Sequence, residues 1–223
     1  MLGKTHVAFG GLVGLTAGIA LSNAYTPIIG IAGMTAGACF GALVPDVDAD
    51  ESIINKKMGL VGDFIAKHIK HRTVTHTAYA LVLFGLIVSL LDKLMGGLPI
   101  VTAVILASSI SWLSCVTIGD LLNKFIINKK IVRAHMALGV ILAVVFLLNS
   151  EYSVLVFRQY AIGLVIGYAS HLFADCCTVS GCPLFSPKRG VRFMKLRTGK
   201  HDKVFIAFSS VITISIISIL KIF

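Results

Sequence analysis

Asp46 with Asp48, His71 with His76, and His171 with Asp175 form three short pairs of acids and imidazoles, each at the end of a long apolar stretch. Ionisable groups at the edge of a hydrocarbon layer are costly unless they pair, face water or bind an ion, so three such pairs point to a metal site at a membrane surface. Pro45-Asp46-Val47-Asp48 brings two carboxylates close together, where they repel unless a cation is shared. In His71-Arg72-Thr73-Val74-Thr75-His76, a continuous helix would turn the imidazoles about 140° apart. They converge only if His71 precedes the helix and His76 lies in its first turn, with Thr73 or Thr75 as the expected N-cap. Imidazole suits zinc, manganese or iron, and the Arg72 guanidinium offers a planar fork for phosphate or carboxylate.

His171-Leu172-Phe173-Ala174-Asp175 sets His and Asp at i and i+4, on one helix face. That spacing suits two ligands of one ion, or a ligand imidazole oriented by a carboxylate. Taken singly, each motif has an ordinary reading as an acidic turn or a helix-end cap; together, at three helix ends, they favour a metal. Asp120 and His135 flank a further basic loop and would extend the site. Arg197-Thr198-Gly199-Lys200, followed by His201, has the side chains and backbone to hold a phosphate group. Asp50, Glu51 and His68 read as solvated surface groups. The chain contains no P-loop, nucleophile elbow or His-Glu-x-x-His.

The elements that must position these residues are membrane helices. At 57% hydrophobic and 13% charged over 223 residues, with a mean hydropathy of +0.92, the chain is too apolar for a soluble domain. Seven segments, near 5–22, 27–44, 74–91, 100–119, 131–149, 155–174 and 203–222, have the roughly 17–20 apolar residues needed to cross a hydrocarbon core of about 30 Å. The expected fold is an all-α polytopic bundle of about seven transmembrane helices, a single integral membrane domain over 1–223. The first segment reads as a retained helix, because Ser22-Asn23-Ala24 leads straight into the second.

Alternating the helix ends puts 17 of the 20 Lys and Arg residues on one side: Lys4, five from Lys56 to Arg72, four from Lys124 to Arg133 and seven from Lys188 to Lys203, on or beside the loops 45–73, 120–130 and 175–202. Basic short loops stay in the cytoplasm, so the N-terminus, the three loops and every candidate ligand are expected there. The net charge of +10 then follows from topology and anionic headgroups, and no nucleic-acid motif is present. Cys39, Cys115, Cys176, Cys177 and Cys182 should stay reduced.

Glycines at steps of four, Gly10, Gly14 and Gly18 and then Gly33, Gly37 and Gly41, let two backbones approach closely. They predict a tight hairpin of the first two helices through Tyr25-Thr26-Pro27, or a homodimer seam, and turn His6 toward the bundle interior. Residues 52–70 read as one basic amphipathic helix on the membrane surface. Residues 175–202, with Gly181, Pro183, Pro187, Gly190 and Gly199, read as a turn-rich cap or lid.

In this order, His6, Pro45-Asp46-Val47-Asp48, His71-Arg72 through Thr75-His76, and His171 through Asp175 followed by Gly181, Pro183 and Leu184 resemble the YdjM-like family of membrane-bound metal-dependent hydrolases of the bacterial inner membrane. The resemblance runs from residue 3 to about residue 202. It implies that His6, Asp46, Asp48, His71, His76, His171 and Asp175 hold metal, with Arg72 beside them. The family carries an acidic residue shortly after a Thr-Gly; here Lys200, His201 and Asp202 follow, and Asp202 is the acid. Cys176, Cys177 and Cys182 are not part of the pattern.

The expected activity is hydrolysis at the cytoplasmic leaflet with one or two divalent ions, zinc or manganese, bridged by Asp46 or Asp48. Arg72 and Arg197 would stabilise developing charge and Asp175 would act as general base. The substrate expected at that depth is a phosphate-containing lipid or other amphiphile. The alternative is a non-catalytic metal-binding scaffold or regulatory protein, or a metal transporter. Transporters place ligands near mid-depth on broken helices, and the third to sixth segments carry almost no ionisable residue there.

Overall fold

The computed structural model describes residues 1–21, 28–95, 98, 100–110, 137–142, 144–145, 148–186 and 190–220. Among these, regular structure is helical: α1 (Gly3–Ala20), α2 (Ile28–Gly41), a 3₁₀ turn (Val44–Asp48), α3 (Ile53–Met58), α4 (Leu60–His68) and α5 (Ala78–Met95). Then follow the short apolar helix α6 (Ile100–Ile110), α7 (Ser150–Cys176) and α8 (Asp202–Leu220). Four described stretches are long and apolar enough to cross a membrane: Ile28–Asp48, Ala78–Met95, Tyr152–Cys176 and Asp202–Ile219. Parts of the expected segments 100–119 and 131–149, and the loop 120–130, lie outside the described residues.

α2 lies between α1 and α7, and small residues set how closely. A Cβ at Gly37 would sit 2.1 Å from the Tyr160 carbonyl oxygen, and one at Gly41 2.0 Å from that of Leu164. In return, Gly163 and Gly167 of α7 leave only 2.2 and 2.1 Å to the carbonyls of Met34 and Ala38. On α1, a Cβ at Gly10 would sit 2.7 Å from Ala42 Cβ and one at Gly14 2.4 Å from Ala38 Cβ. α1 and α2 pack closely as expected, but their two glycine stripes do not face each other. α1 takes the alanine face of α2, and the glycine face of α2 meets the glycines of α7. Both stripes are occupied within the chain.

The surface helix expected over 52–70 is two helices, because Gly59 has φ +53°, which turns the chain between α3 and α4. Ser52 caps α3 by accepting from the Asn55 N–H at 3.0 Å, and the Asn55 amide donates to the Val47 carbonyl at 2.8 Å. That bond ties α3 to the 3₁₀ turn, while Leu60, Val61 and Phe64 of α4 remain exposed, as on an interfacial helix. α5 starts later than expected. Thr77, not Thr73 or Thr75, caps it by accepting from the Ala80 N–H at 3.1 Å.

The segment after α7 folds back over the helix ends. Cys182 and Val191 exchange backbone hydrogen bonds of 3.0 and 2.8 Å, Leu196 N–H donates to the Cys177 carbonyl, and Ala78 N–H donates to that of Leu184. Asp202 opens α8 and accepts from the Thr5 hydroxyl at 2.8 Å, the Leu2 N–H at 3.1 Å and the Gly199 N–H at 3.0 Å, tying α8 to the start of α1.

Candidate metal centre

Four elements deliver the ligands: α1 brings His6, the 3₁₀ turn Asp46 and Asp48, the run into α5 His71, Arg72 and His76, and the end of α7 His171 and Asp175. Three groups of donor atoms lie within 4.8 Å of one another: His6, His171 and Asp175; Asp46, His76 and His171; and Asp48, His71 and His76. Because His171 and His76 are shared, all seven ligands expected from sequence form one continuous cluster.

The tightest part of it is a quartet. His76 Nε2 lies 3.3 Å from His171 Nε2 and 3.5 Å from Asp46 Oδ1. His171 Nε2 is also 3.5 Å from Asp46 Oδ1, and Asp175 Oδ2 is 3.6 Å from His76 Nε2 and 3.8 Å from His171 Nε2. Ligands about 2.0–2.1 Å from a tetrahedral zinc stand roughly 3.3–3.4 Å from one another, so Asp46, His76 and His171, at 3.3–3.5 Å, are spaced as three ligands of one such ion, with Asp175 beside the two imidazoles. His76 and His171 are fully buried, whereas the Asp46 side chain is 15% exposed and forms the open edge.

The neighbours of the imidazoles fix which nitrogen can bind. His171 Nδ1 is 2.7 Å from the Ala42 carbonyl, an acceptor only, so Nδ1 carries the proton and the Nε2 lone pair faces the quartet. His76 Nδ1 is 3.0 Å from the Thr75 hydroxyl, which itself donates to Asp48 Oδ2. Asp48 thus orders the relay that leaves His76 Nε2 unprotonated, and it also holds His71 Nδ1 at 2.8 Å. That hydrogen bond raises the His71 pKa above the usual imidazole value, against its partial burial. The backbone around His76 is pinned as well. The Tyr168 hydroxyl donates to the Thr75 carbonyl, and the Cys182 thiol donates to that of His76 at 3.1 Å. Burial raises the Cys182 pKa and keeps the thiol a donor.

Behind the quartet, His6 stacks on His171 with ring centroids 3.7 Å apart and 14° between planes. His6 Nε2 is 3.4 Å from Asp175 Oδ1, and its Nδ1 is buried with no hydrogen-bond partner. Asp175 also meets cations: the Met1 amino nitrogen 2.8 Å from Oδ1, and Arg72 Nη2 2.9 Å from Oδ2. Oδ2 accepts no well-aligned hydrogen bond, so its contact with Arg72 is one of charge and proximity, and its lone pairs stay available to an ion. Arg72 has φ +59°, the left-handed region that costs a non-glycine residue about 1–3 kcal/mol and collects at functional sites. Its Nη1 donates to the Ser180 hydroxyl and, at 3.4 Å, to the Gly181 carbonyl.

Not every candidate joins this cluster. Arg197 and Lys200 are exposed, and the Arg197 N–H donates to His201 Nδ1 at 3.0 Å, a local turn away from the quartet. Asp202 serves the joint between α1 and α8, and Asp120 and His135 lie outside the described residues. Thr75, Tyr168 and Ser180 were not singled out as functional from sequence, and Cys182, with Cys176 and Cys177 a weak ligand candidate there, instead donates to the His76 carbonyl. Thr75 stood inside the His71–His76 motif and Tyr168 lies one turn before His171, the two positional signals available. A cleft of about 330 Å³ reaches Asp46, lined by Lys4, Glu51 and Ser52 together with the apolar Leu2, Leu43 and Ile54.

Comparison with known proteins agrees with this architecture. The chain is 33% identical over 85 residues to the uncharacterized protein YvsG of Bacillus subtilis (strain 168). That match covers 38% of this chain and 49% of YvsG, so the chain spans about half the length of the curated relative it matches. No solved structure matches. The profile of the YdjM inner membrane protein family matches residues 1–127 and 132–222. With nearly the whole length covered and helices able to span a membrane, this inner membrane protein belongs to the YdjM family.

Proposed function

We propose that the protein is a metal-dependent hydrolase working at the cytoplasmic leaflet on a phosphate-containing lipid or similar amphiphile. The observation that carries this reading is the pair His76 and His171, 3.3 Å apart, with Asp46 and Asp175 each 3.5–3.8 Å from both imidazoles and Arg72 2.9 Å from Asp175. A cation held this near the ligands suits an anionic substrate, because it can bind an oxygen on which charge develops.

These four residues would hold a divalent ion, zinc or manganese, and Asp48 and His71, or His6, offer donors for a second. Such an ion supplies Lewis acidity toward a phosphoryl oxygen and lowers the pKa of water toward neutrality. Arg72 orients and neutralises the phosphate. Asp48, through Thr75, sets the His76 tautomer, and Asp46 at the exposed edge admits substrate. The pairing of Asp175 with Arg72 makes an electrostatic role fit it better than that of a free general base. The distribution of Lys and Arg supports a single domain of seven membrane helices with the N-terminus and the site facing the cytoplasm.

The test is elemental analysis of detergent-purified protein, followed by incubation of the metal-loaded protein with a total inner-membrane lipid extract. Near-stoichiometric metal, and loss of one phosphate-bearing lipid class in wild type but not in Arg72→Lys, supports the reading. An extract left unchanged overturns the hydrolase, and metal without turnover leaves a metal-binding scaffold.

A further inference from the structure

Beside the 3₁₀ turn lies an apolar groove of about 590 Å³, lined by Phe40, Val44, Val47, Ile54, Met58 and Ile65, with Ser108 and Ser109 also at its wall. Ile54 lines both this groove and the cleft. Val44 and Val47 belong to the same five-residue turn that carries Asp46 and Asp48. Cleft and groove thus adjoin at Ile54 and at the turn that carries Asp46.

We infer that the groove takes the alkyl chain of the substrate while its phosphate lies in the cleft at Asp46, an inference that rests on the hydrolase reading above. Three observations fix the occupant. The groove adjoins the cleft at Asp46, with which it shares Ile54. Its outer wall is α3 and α4, whose exposed Leu60, Val61 and Phe64 place them at the lipid boundary, so an alkyl chain has a route in. Lys67 and Lys70 are exposed around the end of α4, where an anionic headgroup would pass. The α3–α4 break at Gly59 keeps Met58 and Ile65 on the groove while Leu60 and Phe64 face outward.

The experiment titrates metal-loaded, detergent-solubilised protein with butyl phosphate and octyl phosphate, with protein-free micelles as the blank. Burial of each methylene is worth roughly fourfold in affinity, so octyl phosphate should bind wild type at least about tenfold tighter than butyl phosphate, even against micelle competition. Met58→Trp and Ile65→Trp fill the groove without touching a ligand. Each should reduce that ratio to below about threefold, with butyl phosphate affinity and metal content unchanged. A ratio near one in wild type, or one that survives both substitutions, overturns the inference. If butyl phosphate binds equally with and without metal while the chain-length ratio persists, the hydrolase reading fails and the groove stands.

Discussion

α2 and α5 are comparably apolar, yet half of the α2 stretch is buried inside the protein and only 6% of α5 is. The difference is glycine. α2 presents Gly33, Gly37 and Gly41 to α7, close enough that backbone carbonyls fill the space where side chains would stand, whereas α5 carries Gly85 alone, with its nearest neighbour Val165 Cγ1 at 3.8 Å. In lipid, apolar surface gains little by leaving one hydrocarbon for another, so burial goes to helices whose backbones can touch. The consequence is chemical: His6, Asp46, Asp48, His171 and Asp175 all sit on or at the ends of the tightly packed trio α1, α2 and α7. The α5 side contributes its residues from a segment outside the helix, held by hydrogen bonds to that trio and to the loop after α7.

If this contrast is right, the largest effect comes from breaking the glycine seam. Gly37→Val would drive a branched side chain into the Tyr160 carbonyl, 2.1 Å from the Cβ position, where only backbone can yield. The expected cost exceeds about 4 kcal/mol, the range reserved for disrupted cores. The checks are accumulation in the membrane and the thermal midpoint in detergent. His171→Ala and Asp46→Ala come next. They should leave helical content intact by circular dichroism and abolish metal retention in elemental analysis, since each removes one corner of the quartet.

Arg72→Lys sharpens the contrast between holding a metal and using it. Lysine keeps a charge but loses the fork that reaches Asp175 and Ser180 together. A drop in turnover of about 10²–10³ with metal content unchanged is expected; loss of metal with turnover would instead make Arg72 part of the ion's support. His71→Ala is milder. His71 bonds Asp48, which orders Thr75 and His76, so the expected loss is about 10–100-fold in metal affinity, the usual cost of removing an orienting partner. It is read by competition with a calibrated chelator.

Much of the site was legible because its signals are local. Asp46-x-Asp48, and His171 with Asp175 at i and i+4, put donors together whatever the partners do, and the restriction on His71 and His76 was a matter of angle. The structure meets that restriction differently from the first-turn expectation, by holding both imidazoles ahead of α5, because the Thr75 hydroxyl is drawn to Asp48 and the capping role passes to Thr77. What was not legible depends on partner choice. Gly163 and Gly167 are only two glycines at a step of four, and nothing in one sequence says that they, not those of α1, meet the glycine face of α2. Arg197 carried the charge for a phosphate site, but its backbone is engaged by His201 on an exposed turn, a tertiary fact that composition does not contain. The break at Gly59 reads in hindsight as a positive-φ glycine inside a helical pattern, an ordinary interruption that periodicity overran.

The smallest expected effect is the one that can break the comparison. Gly85→Ala adds a methyl where the nearest atom is 3.8 Å away, and alanine is the better helix former by up to about 1 kcal/mol. The thermal midpoint should therefore stay the same or rise slightly, with metal content unchanged. A fall of several degrees would mean that the outer face of α5 is packed in the membrane, against a second copy of the chain or another helix. The sparse burial of α5 would then describe an interface, and the contrast with α2 would be one of partner rather than of packing.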